Sequence, residues 1–180
     1  MTTRTRLVAA AFTAAILITA PLALTIDAQQ PPLSPPGTTS VTIGAAAITI
    51  DYSRPSIRAR KIMGGLVPYD KVWRTGANAA TTLKTDAALE VGGAIVPAGT
   101  YTIYSLPGEK AWKLIINKQT GQWGTQYDEK QDLARVDLKV ESLPTPLELF
   151  TITLASTGAK AGTLTLEWET TKLSVPFTLK

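Results

Sequence analysis

Apolar and polar residues alternate along most of the chain from Val41 onward, the period-2 signature of half-buried β-strands. In "VTIGAAAITIDYS", Ile48 and Ile50 fall on one face and Thr49 and Asp51 on the other. "AALEV" and "AIVPAGTYTIYSL" flank Gly92-Gly93, a pair suited to a two-residue hairpin turn. In the second run Tyr101, Ile103 and Ser105 oppose Thr102 and Tyr104. "PGEK" (107–110) reads as a turn, and Trp112, Leu114 and Ile116 share the next apolar face. "LARVDLKVES" alternates most regularly, with Ala134, Val136, Leu138 and Val140 against Arg135, Asp137 and Lys139. Three further runs place Phe150, Ile152 and Leu154, then Leu164, Leu166 and Trp168, then Val175, Phe177 and Leu179 inward. Pro176 lacks a backbone N–H, so the last run is expected to be an edge strand.

About eight or nine short strands separated by turns predict an all-β fold, an antiparallel β-sandwich of jelly-roll-like or Ig-like kind. No long amphipathic helix is expected; one short helical turn fits within 128–133.

Two stretches break the pattern near the N-terminus. Residues 1–28 open with Arg4 and Arg6, continue through an apolar run from Leu7 to Ala20, and end in small and polar residues. That is the plan of a secretory signal peptide, with cleavage expected after Ala28. Pro21 interrupts the apolar run and no basic cluster follows, so stable membrane insertion is not expected. Residues 29–40, "QQPPLSPPGTTS", read as a proline-rich extended linker. Residues 41–180 are then a single domain. The expected location is periplasmic or extracellular.

Composition narrows the chemistry. There is no cysteine, so the core carries no disulfide. There is no histidine, which removes the commonest general base, the histidine-dependent nucleophile systems and ordinary zinc or copper sites. Loss of Arg4, Arg6 and Asp27 with the signal takes the basic and acidic counts from 18 and 14 to 16 and 13. This mildly basic balance, with no Lys/Arg run, gives no argument for nucleic acid. No cofactor and no metal is expected.

The segments "IDYSRPSIRARKIMGGLVPYDKVWRTGANAATTL", "VPAGTYTIYSLPGEKAWKLIINK", "QWGTQYDEKQDLARV", "LELFTITL" and "LTLEWETTKLSVPF" closely resemble an uncharacterised bacterial family, the domain of unknown function numbered 2911. The resemblance covers roughly Val41 to Phe177. It implies an exported β domain, in some members with helical repeats attached, and carries no established activity. No such repeats are expected after Lys180.

Two irregular segments hold the candidate chemistry. Asp51-Tyr52-Ser53-Arg54-Pro55, followed by Arg58, Arg60 and Lys61, is the first; Trp73-Arg74-Thr75-Gly76-Ala77-Asn78 is the second. If they meet, Arg54 and Arg74 could form a fork for a carboxylate, phosphate or sulfate. Asn78 would add neutral hydrogen bonds, Trp73 an apolar or sugar-stacking wall, and Asp51 would stand beside them. The same residues suit a structural clamp, with Arg74 paired to Asp51 or Asp70 and Trp73 plugging the core. Residues 122–132 are a second region, where Asp128, Glu129 and Asp132 read as a solvated turn rather than a calcium loop. Trp112 and Trp168 read as core.

These patterns favour a non-catalytic binding module for a small anionic or polar ligand. The alternatives are a histidine-independent enzyme using Asp51, Tyr52 and Arg74, and a structural or partner-binding envelope protein.

Overall fold

The computed structural model describes residues 33–180. The expected signal peptide and the start of the linker lie outside them. Nine antiparallel strands form one open sheet: β1 (Pro36–Ile43), β2 (Ala46–Ser53), β3 (Thr82–Thr85), β4 (Leu89–Val91), β5 (Ala94–Val96), β6 (Gly99–Leu106), β7 (Trp112–Asn117), β8 (Asp132–Gly158) and β9 (Ala161–Leu179). Their order is β1-β2-β3-β6-β7-β8-β9-β4-β5. The all-β, antiparallel expectation holds. One 3₁₀ turn, Glu129–Gln131, falls where a helical turn was expected.

The sheet bends over on itself because β8 is shared. Its first residues, through Leu138, pair with β7, and from Lys139 onward it pairs with β9. Pro144 and Pro146 cannot donate to a ladder, and the β8–β9 register breaks between Ser142 and Leu147. Across that break Glu169 adopts φ 54 on β9. Beyond it, Phe150, Ile152 and Leu154 on β8 and Leu164, Leu166 and Trp168 on β9 turn inward, as their alternation predicts. Val140 departs from the expected inward face and is 40% exposed, because it follows the point where β8 leaves β7 for β9.

The two layers pack directly. Ile48, Ile50 and Leu83 from one and Leu154, Leu164 and Phe177 from the other surround a void of about 20 Å³. The open edge of β8 is covered by side chains of the facing layer. Tyr52 Oη accepts from Ile152 N at 2.9 Å, and Thr39 Oγ1 accepts from Leu154 N at 3.1 Å. Such caps satisfy donors that would otherwise be buried unpaired.

Three expectations shift. Residues 36–40, read as linker, belong to β1: Pro36 stands opposite Ser53, and Pro35 O accepts from Arg54 N at 2.8 Å. β9 is an interior strand, between β8 and β4. Pro176 is tolerated there because the last β4 pair is Val91–Phe177 and the last β8 pair is Lys139–Ser174, so neither ladder requires its N–H. Finally, β6 is buried on both faces from Tyr101 to Ser105. Its outer face is covered by irregular chain: Thr102 Oγ1 donates to Gln119 O at 2.7 Å and Tyr104 Oη to Gln126 O at 3.1 Å. The Gly92-Gly93 turn is as expected, with φ 54 and 89, the left-handed pair of a tight hairpin.

Candidate functional site

The connection from β2 to β3 runs from Arg54 to Thr81 and is pinned to β6 at both ends of its last part. Trp73 N donates to Ser105 O at 2.8 Å and Ser105 N to Trp73 O at 2.9 Å. Two residues along β6, Ile103 N donates to Thr81 O at 2.9 Å. Residues 74–80 must therefore leave the sheet and return within a very short span. They do so through left-handed backbone at Thr75 (φ 53) and Asn78 (φ 60) and through Gly76 at φ 152.

Thr75 is the unusual member, because a β-branched residue seldom adopts positive φ. It is fully buried and over-determined by hydrogen bonds. Its hydroxyl lies 2.6 Å from Ser105 Oγ, and Thr81 Oγ1 donates to Thr75 O at 2.8 Å. A second irregular segment locks on from outside: Ala80 N donates to Gln122 O at 3.2 Å and Gly124 N to Asn78 O at 3.0 Å. The two regions singled out in the sequence, 73–78 and 122–132, thus meet.

Between them opens a cleft of about 520 Å³, a size usual for small-molecule sites. Trp73, Trp168 and Tyr104 form its aromatic base. Trp73 stacks on Trp168 with ring centroids 5.8 Å apart and planes 16° apart, and meets Phe150 edge-on at 5.1 Å. Trp168 Nε1 donates to Glu148 O at 3.2 Å. Tyr104 in turn meets Tyr127, with ring centroids 4.9 Å apart. Leu33, Pro55, Leu66 and Pro68 add apolar rim, and Asn78 and Thr125 add polar groups.

The charged lining has one sign. Arg58, Arg60 and Arg74 face the cleft, and no aspartate or glutamate lines it. The three are held differently. Arg58 donates to Leu33 O at 2.5 Å, which ties the N-terminal arm to the rim. Arg60 donates to Ile57 O at 3.0 Å and Ser56 O at 2.6 Å. Arg74 makes a single long bond among the described residues, Nε to Gly76 O at 3.3 Å. Its stem rests on Gly124, where an added Cβ would come within 2.8 Å of Arg74 Cδ. No carboxylate pairs with Arg74 among the described residues, so neither Asp51 nor Asp70 clamps it.

Of the five sequence candidates, Trp73, Arg74 and Asn78 share the cleft and Arg54 and Asp51 do not. Arg54 turns to the facing layer, donating to Phe150 O at 3.1 Å and to Thr151 Oγ1 at 2.8 Å. It is the structural clamp, bound to a carbonyl and a hydroxyl rather than to an acid. Asp51 accepts from Thr38 Oγ1 at 2.6 Å on the exposed β1–β2 surface. The fork of Arg54 with Arg74 is therefore not formed, although the segments touch: a Cβ on Gly76 would lie 3.0 Å from Ser53 O. The arginines that join Arg74 are Arg58 and Arg60. Both belong to the first irregular segment noted in the sequence, and the structure turns the chain there through left-handed φ at Arg58 and Ala59 (49 and 54).

The acids of 128–132 are engaged internally. Asp132 accepts from Tyr127 Oη at 2.7 Å, Arg135 Nε at 2.8 Å and Asn117 Nδ2 at 2.8 Å. Glu129 pairs with Arg135 at 2.7 Å, and Asp128 caps the 3₁₀ turn. Among the described residues no group of acids is arranged to hold a metal ion. Burial, followed by the Asp132 carboxylate, pushes Tyr127 up to about 12, so its hydroxyl keeps its proton across ordinary pH. Arg135 is shifted upward by its bond to Asp132.

Residues 34–177 match a family model described as protein of unknown function (DUF2911), and the chain belongs to this family. No curated protein and no solved structure matches the chain.

Proposed function

We propose that this member of the DUF2911 family is a non-catalytic binding module whose cleft takes a small anionic ligand. One observation carries the reading: three arginines and no carboxylate line an aromatic-based cleft of about 520 Å³. Guanidinium groups suit carboxylate, phosphate or sulfate because their planar forks donate two parallel hydrogen bonds. Arg74 is the central contact, since its terminal nitrogens make no hydrogen bond to the described residues. Arg58 and Arg60 supply field, and Asn78 supplies a neutral donor or acceptor at the rim. The enzymatic alternative is less well supported, because Asp51 and Tyr52, its acid/base candidates, are absent from the cleft lining. Tyr52 is buried against Ile152. The module works outside the cytoplasm, on the strength of the signal-like residues 1–28. N-terminal sequencing of exported protein should then find Gln29 or a close neighbour first.

A thermal-shift series with phosphate, sulfate and simple organic acids tests the site. A ligand at a hundredfold excess over its Kd stabilises the folded state by about 2.7 kcal/mol. The expected result is a rise in melting temperature with at least one anion, absent in Arg74→Ala. If no anion stabilises the wild type, or the rise persists undiminished in Arg74→Ala, the reading is wrong.

A further inference from the structure

We infer that the ligand is an aromatic acid: a carboxylate or phosphate carried on a flat ring, its anion on Arg74 and its ring against Trp73. The inference rests on the anion-binding reading and goes further by naming the body that carries the charge.

The cleft's aromatic surface is arranged before any ligand arrives. Trp73 is held between a near-parallel Trp168 (16°) and an edge-on Phe150 (72°), so its ring plane is fixed. It nevertheless lines the cleft and is only half-buried, next in sequence to Arg74. A fixed indole beside a guanidinium with unused donors offers a ring-plus-anion pair of contacts. Such preset surfaces cost little ordering entropy on binding.

The two lining tyrosines point the same way. Tyr104 and Tyr127 would serve a sugar if their hydroxyls faced the cleft with donors to spare. Both hydroxyl protons are committed elsewhere, Tyr104 Oη to Gln126 O at 3.1 Å and Tyr127 Oη to Asp132 Oδ2 at 2.7 Å. Each oxygen also accepts internally, from Gln122 Nε2 at 3.0 Å and from Arg135 at 2.8 Å. Tyr104 is almost wholly buried, so what the pair leaves for the cleft is the half-buried ring of Tyr127. No carboxylate lines it to accept from sugar hydroxyls. Its charged groups are all cationic donors, suited to an anionic head, and beside them stand only three neutral non-aromatic polar side chains, Ser34, Asn78 and Thr125, with the rest of the surface largely aromatic or aliphatic. Neutral carbohydrate, which needs many acceptors, fits this lining poorly.

The test uses the full chain and calorimetric or tryptophan-fluorescence titration with acetate, benzoate, phenyl phosphate, cyclohexanecarboxylate, benzamide and glucose. Benzoate or phenyl phosphate is expected to bind at least tenfold more tightly than acetate and severalfold more tightly than cyclohexanecarboxylate. The preferred of the two aromatic acids identifies the head group. Benzamide and glucose should give no saturable signal. Arg74→Ala should abolish binding, whereas Trp73→Leu, which keeps apolar volume beside Trp168, should bring the aromatic acids down to the level of acetate. The wild-type ratios alone decide the matter should Trp73→Leu fold poorly. Equal binding of acetate and benzoate, both lost in Arg74→Ala, would overturn the aromatic class and leave the anion site standing. Equal binding of benzoate and cyclohexanecarboxylate would overturn it too, by showing that any apolar body serves. Glucose binding, or no anion binding at all, would remove both readings.

Discussion

Arg54 and Arg74 look alike in sequence, each beside an irregular stretch and each with an aspartate nearby, yet the fold gives them opposite work. Arg54 spans the two layers through Phe150 O and Thr151 Oγ1. Replacing it with alanine removes charge-assisted bonds to partly buried acceptors, at about 1.5–3 kcal/mol. Arg54→Ala should therefore lower the unfolding free energy by that amount and leave anion affinity unchanged. Arg74 has one 3.3 Å bond to lose, so Arg74→Ala should cost under about 1 kcal/mol while removing binding. Urea melts and ligand titrations of the two variants check the pair, and reversed outcomes would exchange the assigned roles. Sequence reveals the residue types but not this division, because side-chain direction depends on partners about a hundred positions away. Tyr127 carries a prediction of its own. Its folded pKa, about 12, is above the ordinary tyrosine value of 10. The folded state holds that proton more tightly than the unfolded chain does, so the contribution is complete below pH 10 and is lost as pH climbs toward 12. Melting temperature should fall over that window more steeply in the wild type than in Tyr127→Phe, as scanning calorimetry at stepped pH would reveal.

At the level of elements, alternation exposed the strands and their inward faces because most have one buried side. It could not expose that two pairs of runs are single strands, since Pro144 and Pro146 in β8 look like a terminator. The peptide chain passes through them as a bulged bend instead. The irregular stretch 74–80 was legible as a special loop but not as a sheet excursion, because its anchors, Ser105 and Ile103, lie on a strand well downstream. That excursion stores strain at Thr75, of order 1–3 kcal/mol for such a conformation, offset by bonds to Ser105 and Thr81. Gly124 then sets the position of Arg74 from the neighbouring segment. A methyl group there would meet Arg74 Cδ and Asn78 O, each at 2.8 Å. Gly124→Ala should therefore weaken anion binding about tenfold or more by displacing Arg74 and prising 122–124 from 78–80. The nearby Thr125→Ala adds no atoms and should leave binding within about threefold, on the scale of one lost neutral hydrogen bond. Titrating both variants against the same anion separates a packing constraint from a general sensitivity of the wall.

For the whole molecule, the excess of basic over acidic residues is slight, a formal net charge of +4 over the chain. That figure alone argues for no partner. The distribution matters more: Lys113 is paired with Asp137, Lys139 with Glu141 and Lys180 with Glu90. The cleft concentrates three arginines without a counter-charge in its lining. The acids of 128–132 could have offset that field, but Glu129 and Asp132 are paired with Arg135 and none of the three lines the cleft. A concave, low-dielectric wall with one sign of charge focuses its potential on the opening. Ligand affinity should accordingly depend on ionic strength far more than a net charge of +4 spread evenly would require. The Debye length shrinks from about 10 Å at 0.1 M salt to about 3 Å at 1 M. Over that range the Kd of a monoanion should rise several-fold, chiefly through slower association, while the signal of a neutral analogue stays flat. Stopped-flow titration in graded sodium chloride measures both rates. A Kd independent of salt would mean that the arginine field does not govern entry, and that any attraction in the cleft comes from its aromatic base alone.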